Sequence, residues 1–225
     1  MPQAIRQVRQ GRANVQAALV PGGEETPVVV EVDTRELSGA AWVARFPTSR
    51  STDDLASPFR ENCAAFLAAL RAAGARVTVS ATLRPPNRAY LMHWAWRIVN
   101  QQYDPRTVPR RAGVEVRWDH IGAGGEYDPV ASVAAARDMV NGYGIGRLRV
   151  APSLTSRHIE GNAIDMSISW EGNLDIEDVS GNQVLISSQP RDGMNEDLHS
   201  VGAGYGVIKF HGGARDRPHW STDGR

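Results

Sequence analysis

The sequence predicts an α+β fold in which a mainly antiparallel sheet is flanked by helices. Residues 59–70 carry apolar side chains at three- and four-residue spacing, which is typical of a helix with one buried face. Residues 163–170 alternate between apolar and polar side chains, which is typical of a half-buried strand. Two short turns, EGN and SGN, border further strand-like segments. We therefore expect one domain over residues 27–225, preceded by an arm or linker over residues 1–26.

In the first half of that domain, strands and helices are expected to alternate. The segments PVVVEV (27–32) and AWVARF (41–46) are predicted strands. In the helix that follows, Ser57 is a candidate cap, Pro58 fits the first turn and a glycine ends the helix. ARVTVSA (75–81) alternates like a strand, and the two prolines after it end that strand and start a second helix.

In the second half of the domain, a long irregular segment is expected before the sheet resumes. Residues 103–127 show no period and are rich in glycine, proline and arginine, so we expect a loop there. A helix over 128–140 follows. The remaining predicted elements are a strand at RLRVAPS (147–153), the alternating strand, two strands at LDIEDV (174–179) and QVLISS (183–188), a helix over 195–201 and a strand at YGVIKF (205–210).

The composition excludes several classes of protein. The 25 basic and 25 acidic residues leave no net charge, which argues against general nucleic-acid binding. The single cysteine, Cys63, excludes an intrachain disulfide and a CxxC zinc site, and we expect it to be buried. No apolar run approaches the roughly 18 residues of a membrane span. The N-terminal segment lacks the apolar core of a secretory signal, so work outside the cytoplasm would need another means of delivery.

One of the six histidines stands in a suggestive pattern. His158 lies seven residues before Asp165, which is on the polar face of the predicted strand, and Gly161 between them allows the chain to turn. An imidazole and a carboxylate could then share a cation on one face of the sheet. Of the remaining histidines, His93 is expected to pack on a helix. Surface or loop positions are expected for His120, His199 and His211.

A second motif, DRPHW near the end of the sequence, offers the remaining ligand. His219 would complete a His/Asp/His set, which leaves one coordination position open, as catalytic zinc sites do. Asp216, three residues earlier, has the reach to stand beside the metal without binding it. Such a carboxylate can take up and pass on protons.

Together the two motifs resemble those of the M15 family of zinc peptidases. SRHIEGNAID is similar to the family signature SxHxxGxAxD, and DRPHW to its acid-x-x-His element. The resemblance implies that His158, Asp165 and His219 bind zinc, that Asp216 is the general base, and that the fold is Hedgehog/D,D-peptidase-like. The family includes D-Ala-D-Ala carboxypeptidases, phage endolysins and L-alanyl-D-glutamate endopeptidases of the bacterial cell wall.

The resemblance extends upstream, so that it covers roughly residues 75–100 and 150–221. VTVSATLRPPNRAY is similar to a strand and turn of the family and places Arg84 where an arginine holds substrate. A guanidinium binds a carboxylate through two parallel hydrogen bonds, and peptidoglycan stem peptides carry free carboxylates. Ser156, at the first position of the signature, is expected to donate a hydrogen bond to the substrate or near the ligands. The PPNR after Arg84 departs from the family's polar turn and glutamine.

The expected function is zinc-dependent hydrolysis of a peptide bond in the peptidoglycan stem peptide. An L-alanyl-D-glutamate endopeptidase is favoured because Asp216, not a glutamate, precedes His219; a D-Ala-D-Ala carboxypeptidase is the alternative within the family. Outside the family, the competing interpretations are a non-haem iron oxygenase and a non-catalytic, zinc-stabilised wall-binding or phage-tail component. The protein would act on the cell wall or periplasm, delivered by phage lysis or by an injection device that contacts residues 1–26, or on murein fragments in the cytoplasm.

Several residues near these motifs have simpler interpretations. Glu160 is expected to be solvated, and Arg84 could pair with a surface acid. A groove lined by Trp118, Asp119 and His120 is a minor alternative to a structural role. Core packing or the helix surface is the expected place of Trp94 and Trp96, rather than a platform for stacking sugars.

Overall fold

A computed structural model describes residues 33–225 in full, together with the backbone of two short strands near the N-terminus. These strands, β1 (Gln7–Gln10) and β2 (Ala13–Gln16), pair antiparallel. The strand predicted at 27–32 lies outside the described residues.

The described part of the chain contains four helices and mostly antiparallel sheets, so the α+β prediction is confirmed at that level. The helices are α1 (Phe59–Ala72), α2 (Pro86–Gln101), α3 (Pro129–Gly142) and α4 (Glu196–Gly204). The further strands are β3 (Glu36–Leu37), β4 (Arg76–Ala81), β5 (Val116–Arg117), β6 (Ala163–Ser169), β7 (Leu174–Glu177), β8 (Gln183–Ile186), β9 (Ile208–Lys209) and β10 (His219–Ser221). β3 and β5 form a parallel pair, and β7 and β8 an antiparallel one.

The main sheet has four antiparallel strands in the order β4-β6-β10-β9. Its central strand β6 shows the predicted alternation. Ile164, Met166 and Ile168 are at most 4% exposed, whereas Asp165 and Ser167 point to the other face. Because side chains alternate along a strand, one face of β6 builds the core and the other is left for polar groups.

Helix α1 covers the apolar face of this sheet with the predicted stripe. Phe66 is fully buried and packs against Trp220 of β10, with ring centroids 5.7 Å apart. Cys63 is buried as predicted, and burial raises the pKa of its thiol to about 12, so it stays protonated. The predicted cap is wrong: the helix begins at Phe59 after Pro58, and no side chain caps it.

A second apolar cluster joins α2, α3 and the irregular segment 103–127. Trp94 and Trp96 are buried in it, which confirms their predicted core position. Trp118 is 2% exposed and its indole N–H donates to the Tyr90 hydroxyl at 3.3 Å, so it lines no groove. The long segment is therefore anchored in the core by its own apolar side chains, although most of it is irregular as predicted.

Two predicted strands are wrong. Residues 41–46 fold into a short 3-10 turn (Ala40–Trp42) and bends, because the Trp42 indole is buried and donates to the carbonyl of Leu37 five residues back. Residues 147–153 pair with no strand. Leu148 and Val150 are 46% and 73% exposed, and the Leu148 amide bonds locally to Ile145. The last predicted strand, 205–210, shortens to β9.

Across the residues that the structure describes, we find no helix with the length and apolar character needed to cross a bilayer.

Candidate metal centre

Strand register brings two of the predicted ligands together. Asp165 of β6 and His219 of β10 are direct partners in the antiparallel pair. Side chains of such partners lie on the same face of the sheet, with their Cβ atoms about 4.5–5.5 Å apart. Both point away from the face that carries Ile164 and Met166. Asp165 and His219, which are 54 positions apart in the sequence, thus meet at one point of the sheet.

The third predicted ligand arrives from the loop before β6. The backbone oxygen of His158 accepts from the Arg84 amide at 2.9 Å, and its ring Nδ1 lies 2.6 Å from the backbone oxygen of Thr82. Both partners follow the end of β4, which is the neighbour of β6 in the sheet. His158 is only 4% exposed, so the loop is held against the sheet with its imidazole inside.

Gly161 makes the return of this loop possible. It has φ +73°, and an added Cβ would lie 2.9 Å from the backbone nitrogen of Ala56, which donates to the Gly161 oxygen. Left-handed backbone alone costs an L residue about 1–2 kcal/mol. The requirement for glycine here is therefore both conformational and steric, as the sequence predicts.

Replacing Gly161 by alanine should lower the free energy of unfolding and weaken metal binding, because the added methyl pushes the His158 loop away from the sheet. A matched control is Gly172→Ala, where φ is +67° and nothing lies within 4 Å of the added Cβ. Chemical denaturation and zinc titration of both variants test this. Equal losses of stability and unchanged zinc affinity in the two variants would contradict it.

The three ligand atoms form a compact triangle. His158 Nε2, Asp165 Oδ1 and His219 Nδ1 are separated by 3.1, 3.1 and 3.2 Å. In a tetrahedral zinc site with bonds of about 2.0–2.1 Å, neighbouring ligand atoms lie about 3.3 Å apart. The observed separations are close to that value, and these residues could hold a metal ion.

In each imidazole, the outer nitrogen, which faces away from the triangle, is hydrogen-bonded to a backbone oxygen. The inner nitrogen, which is part of the triangle, is therefore suited to bind a cation. His158 Nδ1 faces the Thr82 oxygen, and His219 Nε2 faces the backbone oxygen of Arg225 at 3.1 Å. A carbonyl only accepts, so both outer nitrogens carry the proton. In the neutral imidazoles the two inner nitrogens then present lone pairs to a carboxylate oxygen. Only a proton or a cation can satisfy three such atoms at this distance, and such outer bonds typically orient metal-binding histidines.

Asp165 and His219 stabilise each other's charged forms, which is visible in the directions of their pKa shifts. Burial raises the pKa of Asp165, but hydrogen bonds from the two imidazoles outweigh it and lower that pKa overall. Burial lowers the pKa of His219, but Asp165 more than compensates and raises it. Protons and metal therefore compete for the same atoms, and metal affinity should fall as the pH falls.

Asp216 lies in the same cavity but outside the triangle. It ends a 3-10 turn, Gly213–Asp216, and lines a cavity of about 510 Å³ together with the three candidate ligands. Partial burial raises the pKa of its carboxyl group, and the negative charge of Asp165 raises it further. A carboxylate with a raised pKa is a better proton acceptor than an ordinary aspartate, which suits the predicted base.

Arg84 and Ser156 also line this cavity. In the fully described range 33–225, the Arg84 guanidinium has no ion-pair partner, so the pairing with a surface acid is not found there; the guanidinium lies in the field of Asp165 and Asp216. The Ser156 hydroxyl is buried without a hydrogen-bond partner. The Arg84 guanidinium is therefore free to contact a ligand in this cavity, whereas the Ser156 hydroxyl is enclosed; their roles as substrate contacts stay predictions.

The neighbouring Arg157 is fully engaged, in contrast to Arg84. It pairs with Asp223 and with Glu160, at 2.5 Å in each case. Glu160 is 45% exposed and ion-paired, so it is solvated only in part. Asp223 also accepts from the Arg225 amide, and this holds the Arg225 oxygen that faces His219. The sequence does not predict a role for Asp223 and Arg225 at the site, because neither residue belongs to one of the two motifs.

The remaining histidines stay apart from the triangle. His199 packs edge-on against Trp220, and its Nε2 lies 3.1 Å from the Gly193 oxygen. His93 faces the Pro152 oxygen, and His120 pairs with the Ser38 hydroxyl. His158, Asp165 and His219 are the one metal-competent cluster within the described residues.

The chain was compared with protein-family models, with curated proteins and with solved structures, and none of these comparisons found a match.

Proposed function

We propose that this protein is a zinc peptidase that hydrolyses a peptide bond in the peptidoglycan stem peptide. The favoured activity is that of an L-alanyl-D-glutamate-type endopeptidase. The proposal includes membership of the M15 family and its Hedgehog/D,D-peptidase-like fold. The observation that carries the proposal is the triangle of His158, Asp165 and His219, whose outer nitrogens are hydrogen-bonded. A further carboxylate, Asp216, stands in the same cavity. A site built only for structure has no use for that additional acid.

The number of ligands supports a catalytic site over a structural one. Structural zinc sites use four protein ligands, whereas catalytic sites use three and keep one position for water or substrate. The described residues supply three. Zinc at such a site provides a Lewis acid that polarises a carbonyl and lowers the pKa of water to about 7.

The chain's own residues would divide the remaining work. Asp216 accepts the proton of the attacking water and returns it to the leaving amine, which its raised pKa favours. Arg84 is the available guanidinium for a carboxylate of the stem peptide. Ser156 carries a buried hydroxyl without a partner, which would donate to the substrate or near the ligands once the segment adjusts to a bound peptide. Phe210, whose ring centroid lies 5.6 Å from that of His219, forms an apolar wall of the cavity.

Mass spectrometry of digested peptidoglycan tests the proposal. Zinc-loaded protein should release fragments with a new amino terminus at D-glutamate, and Asp216→Asn protein should release them about 10²–10⁴-fold more slowly. Loss of terminal D-alanine instead would identify the carboxypeptidase alternative. Binding of peptidoglycan without any new amino terminus would contradict hydrolysis and favour a wall-binding or phage-tail component.

The same donor set, two histidines and a carboxylate, also suits iron in oxygenases. Asp216 favours the hydrolase, because proton transfer to and from a water is the task of that class. Iron bound in preference to zinc, with turnover of 2-oxoglutarate, would overturn the zinc assignment.

The pH dependence of hydrolysis should report on Asp216. Because its pKa is raised, the ionised base is lost as the pH falls through a value above the ordinary 3.8 of an aspartate. We expect kcat/KM at saturating zinc to decline on the acid side with an apparent pKa above that value. A rate that stays constant down to about pH 4 would contradict the assignment of Asp216 as the base.

A further inference from the structure

Lys209, on β9, is the only lysine in the sequence and is almost fully buried, with 5% exposure. Its ammonium group donates to three backbone oxygens: Asp216 at 3.3 Å, Arg217 at 2.7 Å and His219 at 2.9 Å. An ammonium group has three protons, so these contacts can use all of them. All three acceptors belong to the short segment that carries the proposed base and one proposed metal ligand.

This segment has little regular structure of its own to hold it. The 3-10 turn ends at Asp216 and β10 begins at His219, so the residues between them lie outside both elements. Outside the contacts to Lys209, their backbone is joined to the sheet by the Met166 amide, which donates to Pro218 at 2.9 Å. Three carbonyl oxygens that converge on one point repel each other unless a cation lies between them.

The buried charge is costly, which argues against simple packing. Burying an ammonium group is strongly unfavourable unless hydrogen bonds and nearby charges compensate for the lost hydration. Across residues 33–225, no carboxylate lies within ion-pairing distance of Lys209; the carbonyl oxygens compensate, with the Trp220 ring centroid 5.3 Å away. A methionine would fill the same space without the cost.

We propose that Lys209 is a positioning residue: it binds the backbone of residues 216–219 so that the Asp216 carboxylate and the His219 imidazole face one cavity. The role in metal binding and catalysis rests on the proposed function, whereas the role in ordering the segment does not. The Arg217 side chain is directed elsewhere, to Asp192 at 3.0 Å, and the hydrogen bonds from the ammonium group to this segment all go to backbone oxygens.

Hydrogen–deuterium exchange and zinc titration of Lys209→Met test this proposal. We expect amides of residues 213–219 to exchange about tenfold faster in the variant, with or without zinc, and zinc affinity to fall about tenfold, which is typical when a supporting contact of a ligand is lost. Lys209→Arg should restore part of both, because a guanidinium can reach some of the same oxygens.

Ile186→Ala is the control for a general loss of stability. Ile186 is fully buried in β8, away from the segment, and truncation should lower the free energy of unfolding without faster exchange confined to residues 213–219. The proposal is overturned if Lys209→Met leaves exchange of 213–219 unchanged, or if it changes exchange only as Ile186→Ala does. If the wild-type protein binds no zinc, the proposed function fails, but exchange of the zinc-free proteins still decides the role of Lys209.

Discussion

Replacing Asp216 by asparagine should lower the rate of peptidoglycan hydrolysis by about 10²–10⁴-fold while zinc stays bound. General acid–base catalysis typically contributes that factor, and the amide has the size of the carboxyl group but cannot take a proton. Asp216 is not one of the three candidate ligands, so the proposed metal site should survive. The measurement is the initial rate of fragment release, with bound zinc determined on the same samples.

The same substitution should make the protein slightly more stable at neutral pH. Because the pKa of Asp216 is raised in the folded protein, folding disfavours its ionised form, and stability is lost as the pH rises through that pKa. Asparagine removes this penalty. Asp175→Asn, at an exposed position of β7, is the control and should change neither rate nor stability. An active Asp216→Asn protein would exclude Asp216 as the base.

Removing one ligand, by His219→Ala, should abolish the stabilisation that zinc gives to the wild-type protein. A ligand that binds only the folded state adds about 2.7 kcal/mol to the free energy of unfolding at a free concentration 100-fold above its Kd. With two ligands left, affinity and hydrolysis should both be lost. Thermal unfolding with and without zinc, or before and after chelation, measures this.

His211→Gln is the matched control for that experiment. His211 is exposed and outside the triangle, so the variant should gain as much stability from zinc as the wild type. A zinc-dependent shift that persists in His219→Ala, or that disappears in His211→Gln, would mean that zinc binds elsewhere.

The sequence correctly predicts which faces of β6 and α1 are buried, because these faces follow from the spacing of apolar residues over a few positions. The alternation around Asp165 predicts which side chains face the core, because a strand has a period of two. The stripe that includes Cys63 and Phe66 predicts the buried face of α1 in the same way. The spacing from His158 to Asp165, with Gly161 between, predicts a loop that returns over the sheet, as the structure shows.

The features that sequence reasoning missed depend on pairing between distant segments. Lys209 meets residues 216–219 only because β9 and β10 are neighbours, and Asp223 meets Arg157 across 66 residues. Neither contact produces a repeating pattern of residues in the sequence from which it could be predicted. The strand predicted at 147–153 failed for a related reason, because apolar alternation cannot show whether a neighbouring strand is available.

We propose that His158, Asp165 and His219 bind one catalytic zinc ion. Metal analysis of the wild-type protein and of His158→Ala, each loaded with zinc and dialysed, tests it most directly. We predict about one zinc per wild-type chain and almost none in the variant. A wild-type protein that retains no zinc, or a variant that retains as much as the wild type, would contradict the claim.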